Sequence, residues 1–288
     1  MNTATLCRDR FLLNDWHVIA DLTNLAPDKP FQTRLLGVAL NIRSGDGACW
    51  RVIRQHDGEP VASTCRYGFL WACVGVPERD IPLVPEAEEE DRYLVTGGSI
   101  AVRASGLRAV ENFLDLGHLP FVHSGTLGEE PHTEVAPYNV RVTEADEILA
   151  TECKFFQPFA SPSAQGGFLV EYVYKVIRPY TVALYKSNSV HKHRSDVIVL
   201  FVQPVDEENC VAHPLLCYVK DGTGEAAIRG FMQLIFAQDK PILENQVPKR
   251  LPLDPRAETP IRADAVSIHY RRWLRDHSVS YGAIPARP

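Results

Sequence analysis

The chain has 288 residues, a net charge of −6, and 45% hydrophobic against 23% charged residues. That length buries a sizeable core without a disulfide or a structural metal, and the acidic balance argues against a nucleic-acid or anionic-membrane surface as the main partner. No apolar run approaches the roughly 18 residues of a membrane span. The start of the chain carries Arg8, Arg10 and Asp15 and lacks the apolar stretch of a signal peptide, so a cytoplasmic location is expected. The seven cysteines, at 7, 49, 65, 73, 153, 210 and 217, are an odd, scattered set and read as free buried thiols.

In chain order, turn residues cluster at 27–30, 44–47 and 57–60, and strands are predicted over 34–42 and 67–76, the second nearly all apolar. The proline-rich, acidic stretch 77–91 reads as a solvated linker and places a domain boundary. A helix follows, capped by Ser105, with Leu107, Val110, Phe113 and Leu114 on one face, ending at Gly117 and Pro120. Strands are then expected at 138–142, 148–157, 168–177, 180–186, 196–203 and 211–219, separated by turns as in a meandering antiparallel sheet. A long helix spans 223–246 with Pro241 inside it, which predicts a kink beside Asp239. A last helix carries Val266, Tyr270, Trp273 and Leu274 on one face. The order implies an α+β fold with helices packed on one face of a curved antiparallel sheet.

The stretch 111–123 carries the chemistry. Asn112, Asp115 and His118 recur every three residues, one side of a helix, and Pro120 turns the chain so that His123 can approach His118. Two imidazoles at a bent helix end make half of a transition-metal site, which one carboxylate from elsewhere completes as a 2-His-1-carboxylate triad with open positions. A bare pair of histidines five residues apart is more often surface or packing. Four polar groups at the end of a helix whose other face is apolar are costly unless paired or ligated.

This segment resembles the mononuclear-iron motif of the Rieske-type non-heme iron oxygenases at every motif position. The stretch 236–246 is similar to the family's late helix that supplies the carboxylate ligand, here Asp239. The stretches 267–275 and 66–71 resemble its C-terminal helix and the strand that ends its Rieske domain. The likeness covers most of the chain from Arg66 onward. It is closest to the N- and O-demethylating branch and, within it, to the bacterial methylxanthine N-demethylases, including the 7-methylxanthine-demethylating kind that lacks its own cluster. The resemblance implies a helix-grip (START-like) catalytic domain over 78–288. It also implies Fe(II) held by His118, His123 and Asp239, with Asp115 at the position of the bridging aspartate that passes electrons from a neighbouring cluster and Asn112 beside it.

The departure from the family is equally informative. A Rieske [2Fe-2S] cluster needs a C-x-H and a C-x-x-H box, and no C-x-H exists here; Cys210-x-x-His213 stands without a partner and reads as packing. Residues 1–77 are therefore expected to be a truncated Rieske-like β region without a cluster. Electrons must then come in trans, from a Rieske-bearing reductase fed by NAD(P)H or from a paralogous oxygenase subunit. The reaction implied is O2-dependent hydroxylation of an N-methyl group on a small heterocycle, releasing formaldehyde. An oligomer is expected.

Met232, seven residues before Asp239 on the same helix face, is a candidate substrate contact, as is Gln233; core packing is an equal reading for Met232. His191 and His193 read as a solvated strand end, and His132 as an exposed loop residue. Phosphate-loop, dinucleotide, zinc-protease and nucleophile-elbow motifs are absent. Two other functions stay open on sequence: a non-catalytic subunit of an oxygenase complex, and a metal-free binding module with a cavity under its long helix.

Overall fold

The computed structural model describes residues 5–45, 50–159, 161–162, 166–188, 190–191 and 193–286. Cys49, Lys192 and the end of the 44–47 turn cluster lie outside them. A single-turn helix α1 (Arg10–Leu13) and strand β1 (His17–Asp21) open the chain. Strands β2 (Phe31–Leu35), β3 (Val38–Ser44) and β4 (Trp50–Arg54) form one antiparallel sheet. A second, in the order β1-β6-β5, uses β5 (Ala62–Arg66) and β6 (Phe69–Cys73).

The strand predicted over 34–42 is interrupted by a turn, and the one over 67–76 is shortened to Phe69–Cys73 by a turn at its start. Leu36-Gly37 and Tyr67-Gly68 adopt positive φ (52° and 85°, 56° and 80°), which is the two-residue turn that matches hairpin twist. Gly37 has no alternative, because a Cβ there would sit 2.3 Å from the Thr5 carbonyl oxygen. The acidic stretch 77–91 is also less solvated than expected. Val84 is buried, its N–H donates to Tyr67 Oη at 2.9 Å, and Arg194 binds Glu89 and Asp91.

The large sheet begins with β7 (Arg92–Thr96) and β8 (Ile100–Val102). Helices α2 (Gly106–Leu114) and α3 (Leu119–Val122) come next. Then follow β9 (Asn139–Val142), β10 (Ile148–Gln157), β11 (Phe168–Arg178), β12 (Thr181–Ser187), β13 (Ser195–Pro204) and β14 (Cys210–Val219). The order is β7-β14-β13-β12-β11-β10-β9, with β8 beside the start of β14, all antiparallel. Helix α4 (Glu225–Glu244) contains Pro241. Strand β15 (Leu251–Pro252) pairs with β16 (Ala283–Ile284), on either side of α5 (Ala265–Asp276). Among the described residues no helix is long and apolar enough to cross a membrane.

Period two along β13 explains how the layers stack. Ile198, Leu200 and Val202 pack with Leu107, Val110, Ile235, Phe236 and Tyr270 of the helices. Val197, Val199 and Phe201 face the other way, onto Val18, Phe69 and Trp71 of the N-terminal sheet. The helices cover one face, as expected, and the N-terminal strands cover the other. The apolar run in 67–76 is buried because it lies in that second layer. Backbone bonds from Leu36 N–H to the Pro204 carbonyl (2.7 Å) and from Gly37 N–H to that of Val205 (3.1 Å) tie the β2–β3 turn to the end of β13.

Candidate metal centre and cavity

Ser105 caps α2 as predicted, accepting from Leu107 N–H at 3.2 Å. The helix nevertheless ends at Leu114, before the predicted stop at Gly117 and Pro120. The Asp115 carboxylate accepts the Gly117 N–H at 2.7 Å, a local bond that competes with helix continuation. Pro120 does not break a helix either; it lies in the first turn of α3, where its missing N–H costs nothing. Asn112, Asp115 and His118 therefore do not share one helical band. His118 instead immediately precedes the short helix and His123 immediately follows it, so that one turn of chain aims both imidazoles at the same point.

Asp239, from α4, meets them there. Its Oδ1 lies 3.1 Å from His123 Nε2 and 3.3 Å from His118 Nε2, and the two nitrogens are 3.2 Å apart. Asn112 Nδ2 approaches the same oxygen at 3.5 Å. A single ion with bonds of about 2.1 Å and cis ligands at right angles needs donors about 3.0 Å apart, so the triangle fits one ion. The outer nitrogens are held too. His123 Nδ1 lies 2.8 Å from Gln238 Oε1, an acceptor, which fixes the proton on Nδ1 and leaves the Nε2 lone pair facing Asp239. His118 Nδ1 lies 3.3 Å from Asp115 Oδ2, close enough to pair in charge although not aligned as a hydrogen bond.

The electrostatics call for a cation. Burial alone would lower the His118 pKa, but the Asp115 and Asp239 carboxylates on either side outweigh it and raise it to about 9. Burial works against ionised Asp239, and the two imidazoles overcome it and hold the carboxyl below its usual range. His118, His123 and Asp239 are the group whose donor atoms converge on one possible metal position among the described residues.

The triangle lies in the wall of a cavity. Apart from Asn112 and Lys186 the rest of the wall is aromatic and aliphatic, with Phe113, Tyr174, Tyr218, Phe231, Phe236 and Met232 prominent. This is the lining of a small-molecule site. Met232 lies in this wall and in the hydrophobic core, so both readings of it stay open. Gln233 does not line the cavity: it is exposed, and its amide donates to the Gly97 carbonyl at 3.2 Å, because one residue further along a helix turns the side chain by about 100°. A second cavity lies on the outer side. Asn112 and His118 belong to both walls, and Asp115 lines only the outer one, together with Arg108, Glu111, Glu258 and Arg271.

The remaining candidates are structural. His191 and His193 sit exposed in the loop between β12 and β13, His132 is exposed beside Phe156, and Cys210 and His213 are buried in β14. His213 bonds Ser99 and Gln203. Sequence reasoning did not single out Gln238, which contacts His123, or Lys186 and Tyr172, which line the cavity; the first adjoins a ligand candidate in sequence, but the other two look like ordinary strand residues.

The family model for the vanillate O-demethylase oxygenase C-terminal domain matches residues 102–277. The probable methylxanthine N7-demethylase NdmC of Pseudomonas sp. (strain TJI-51) is 45% identical over 94% of this chain and 96% of its own. The methylxanthine N1-demethylase NdmA of Pseudomonas putida is 27% identical over 73% of this chain and 58% of its own. The solved structure of P. putida CBB5 NdmA with caffeine shares the fold, with a TM-score of 0.73 at 21% identity, covering 93% of this chain and 91% of that one. The structure of dicamba monooxygenase bound to dicamba does so with a TM-score of 0.70 at 15% identity, covering 93% and 97%. A relative matched almost end to end, and a family model that spans the helices and sheet around the triangle, place the chain among the Rieske-type non-heme iron oxygenases, as a monooxygenase of the oxidative demethylase branch.

Proposed function

We propose that this chain is the catalytic subunit of a complex that N-demethylates a small methylated heterocycle of the methylxanthine type, such as 7-methylxanthine. The observation that carries this reading is the donor triangle of His118, His123 and Asp239 opening onto an aromatic cavity. Bound ferrous iron supplies the redox chemistry that activates O2. The residues do the rest. His118, His123 and Asp239 would hold the ion in the wall of the cavity. Gln238 orients His123, Asn112 steadies the Asp239 carboxylate, and the aromatic wall packs a planar ring with its N-methyl group toward the triangle. One O2, two electrons and two protons convert N–CH3 to N–CH2OH and water. The hydroxymethyl carbon then leaves as formaldehyde, and the nitrogen keeps a proton.

The two electrons come from outside the chain. Residues 1–77 are read as a truncated Rieske-like region and 78–288 as the catalytic domain, and the sequence offers no second cysteine–histidine box. A Rieske cluster on a reductase that draws on NAD(P)H, or on a paralogous oxygenase subunit, docks over the outer cavity in this reading. Asp115 lies there, between that surface and His118. Such an assembly operates in the cytoplasm, where the nucleotide is supplied.

The test is reconstitution with Fe(II), 7-methylxanthine, O2, NADH and a Rieske-bearing reductase. Formaldehyde and demethylated product in equal amounts are expected, and neither without the reductase. Full activity of the assembled complex when this chain carries His123→Ala would assign catalysis to another subunit.

A further inference from the structure

Apart from the iron-site groups, the cavity wall is apolar or aromatic except at one place. Lys186, on β12, is 4% exposed and lines the cavity; among the described lining residues it is the one basic group besides the two imidazoles. Its cross-strand partner on β11 is Tyr172, also in the wall. The ammonium stands 5.7 Å from the Tyr172 ring centroid. Tyr172 Oη accepts from Gln157 Nε2 at 2.8 Å, so its own proton is directed elsewhere. On the other side, Asp196 pairs with Lys186 in register, but its oxygens already accept from Val219 N–H and Asn188 Nδ2, both at 2.9 Å.

A buried ammonium in an apolar wall is costly, and substituting a leucine would remove that cost. Burial pushes Lys186 down to about 7, with Asp196 partly opposing it. An ammonium has three N–H donors, enough to serve a protein partner and a ligand together. Resting on the substrate class proposed above, we infer that Lys186 and Tyr172 form a two-donor edge that binds a ring oxo oxygen of the heterocycle and sets its orientation over the metal triangle. The substrate class narrows accordingly to planar heterocycles with an exocyclic oxygen. Neighbours on one sheet face are close enough to share a single acceptor or two adjacent ones.

The test is calorimetric binding to the Fe(II)-loaded protein without O2, using 7-methylxanthine and 7-methylpurine, which lacks both oxo groups. The wild type is expected to prefer 7-methylxanthine by about tenfold or more, the range of a charge-assisted hydrogen bond. Lys186→Met is expected to abolish that preference while binding 7-methylpurine as before. Lys186→Gln, which keeps a neutral donor, is expected to retain part of it and serves if the Met variant does not fold. A preference that survives undiminished in Lys186→Met, or in Lys186→Gln where the Met variant does not fold, or that the wild type lacks, overturns the inference while leaving the demethylase reading intact. A wild type that binds neither compound overturns both.

Discussion

At the scale of single residues, the account separates groups that hold the ion from groups that orient the holders. Gln238 touches His123 and not the metal position, so Gln238→Leu should leave the fold intact and lower Fe(II) affinity by roughly 10- to 100-fold, as loss of an orienting partner does elsewhere. Anaerobic titration with a competing chelator measures this; unchanged affinity would mean that the Gln238 contact is incidental. Asp115 lies on the outer wall, so its substitution should divide the functions differently. Asp115→Asn should retain about one iron per chain while product formation with the reductase falls by about two orders of magnitude, the scale of a lost positioned group. Iron content and single-turnover rate, measured together, decide it. Loss of iron in parallel with activity would return Asp115 to the role of a simple support for His118.

At the scale of elements, a charged clamp joins α2 to α5 under the outer cavity. Arg271 Nε bonds Glu111 Oε1 at 2.5 Å and its Nη2 reaches Glu258 Oε2, also at 2.5 Å. Arg108 bridges the same two carboxylates at 2.6 and 3.3 Å. Burial works against the Arg271 charge, and the two glutamates outweigh it, so the guanidinium stays ionised more firmly than usual. Glu111→Gln leaves buried positive charge behind and should cost about 3 kcal/mol in urea unfolding; a change under 1 kcal/mol would show the clamp to be dispensable. Two buried histidines set the acid limit of the fold. Burial depresses His17 in β1 and takes His213 in β14 down to about 3, with Asp15 and Asp21 respectively opposing it. Between the unfolded value near 6.5 and the folded one, only the unfolded chain binds these protons, so stability falls as pH drops below about 6.5. Each histidine contributes up to about 1.4 kcal/mol per pH unit. Urea midpoints at pH 7, 6 and 5 should decline accordingly, and less steeply in His213→Gln.

The same scale shows what the sequence makes visible. Strand β10 spans the predicted 148–157 without adjustment, and its neighbours differ by a residue or so, because a half-buried strand writes its period into the chain. The hairpin turns at Leu36-Gly37 and Tyr67-Gly68 do not announce themselves, since leucine and tyrosine are poor turn signals and tertiary contacts hold their strained φ. The early end of α2 depends on one side-chain bond at Asp115 that competes with a strong apolar pattern. His118 and His123 stand out in the sequence as polar groups at the end of an otherwise apolar helix, whereas Asp239 is singled out only by the resemblance of 236–246 to the family's late helix. Lys186 does not stand out, because a lysine near a strand end is normally solvated, and only the neighbouring strands and helices enclose this one.

At the scale of the molecule, β13 and β14 of the large sheet are buried on both faces, and the N-terminal layer belongs to the same packed body as the helices. Trp71 is fully buried and meets Phe201 edge-on at 4.8 Å. Trp71→Ala should therefore cost about 3–5 kcal/mol and loosen the N-terminal sheet from the catalytic one, visible as faster amide exchange in β1 and β6; a smaller loss would mean the layers hold together without it. The central claim is that three side chains from two distant parts of the chain bind one ferrous ion. Anaerobic Fe(II) titration of the wild type beside Asp239→Ala tests it most directly. The account predicts one tightly bound iron in the wild type and none in the folded variant, and equal iron in both would contradict it.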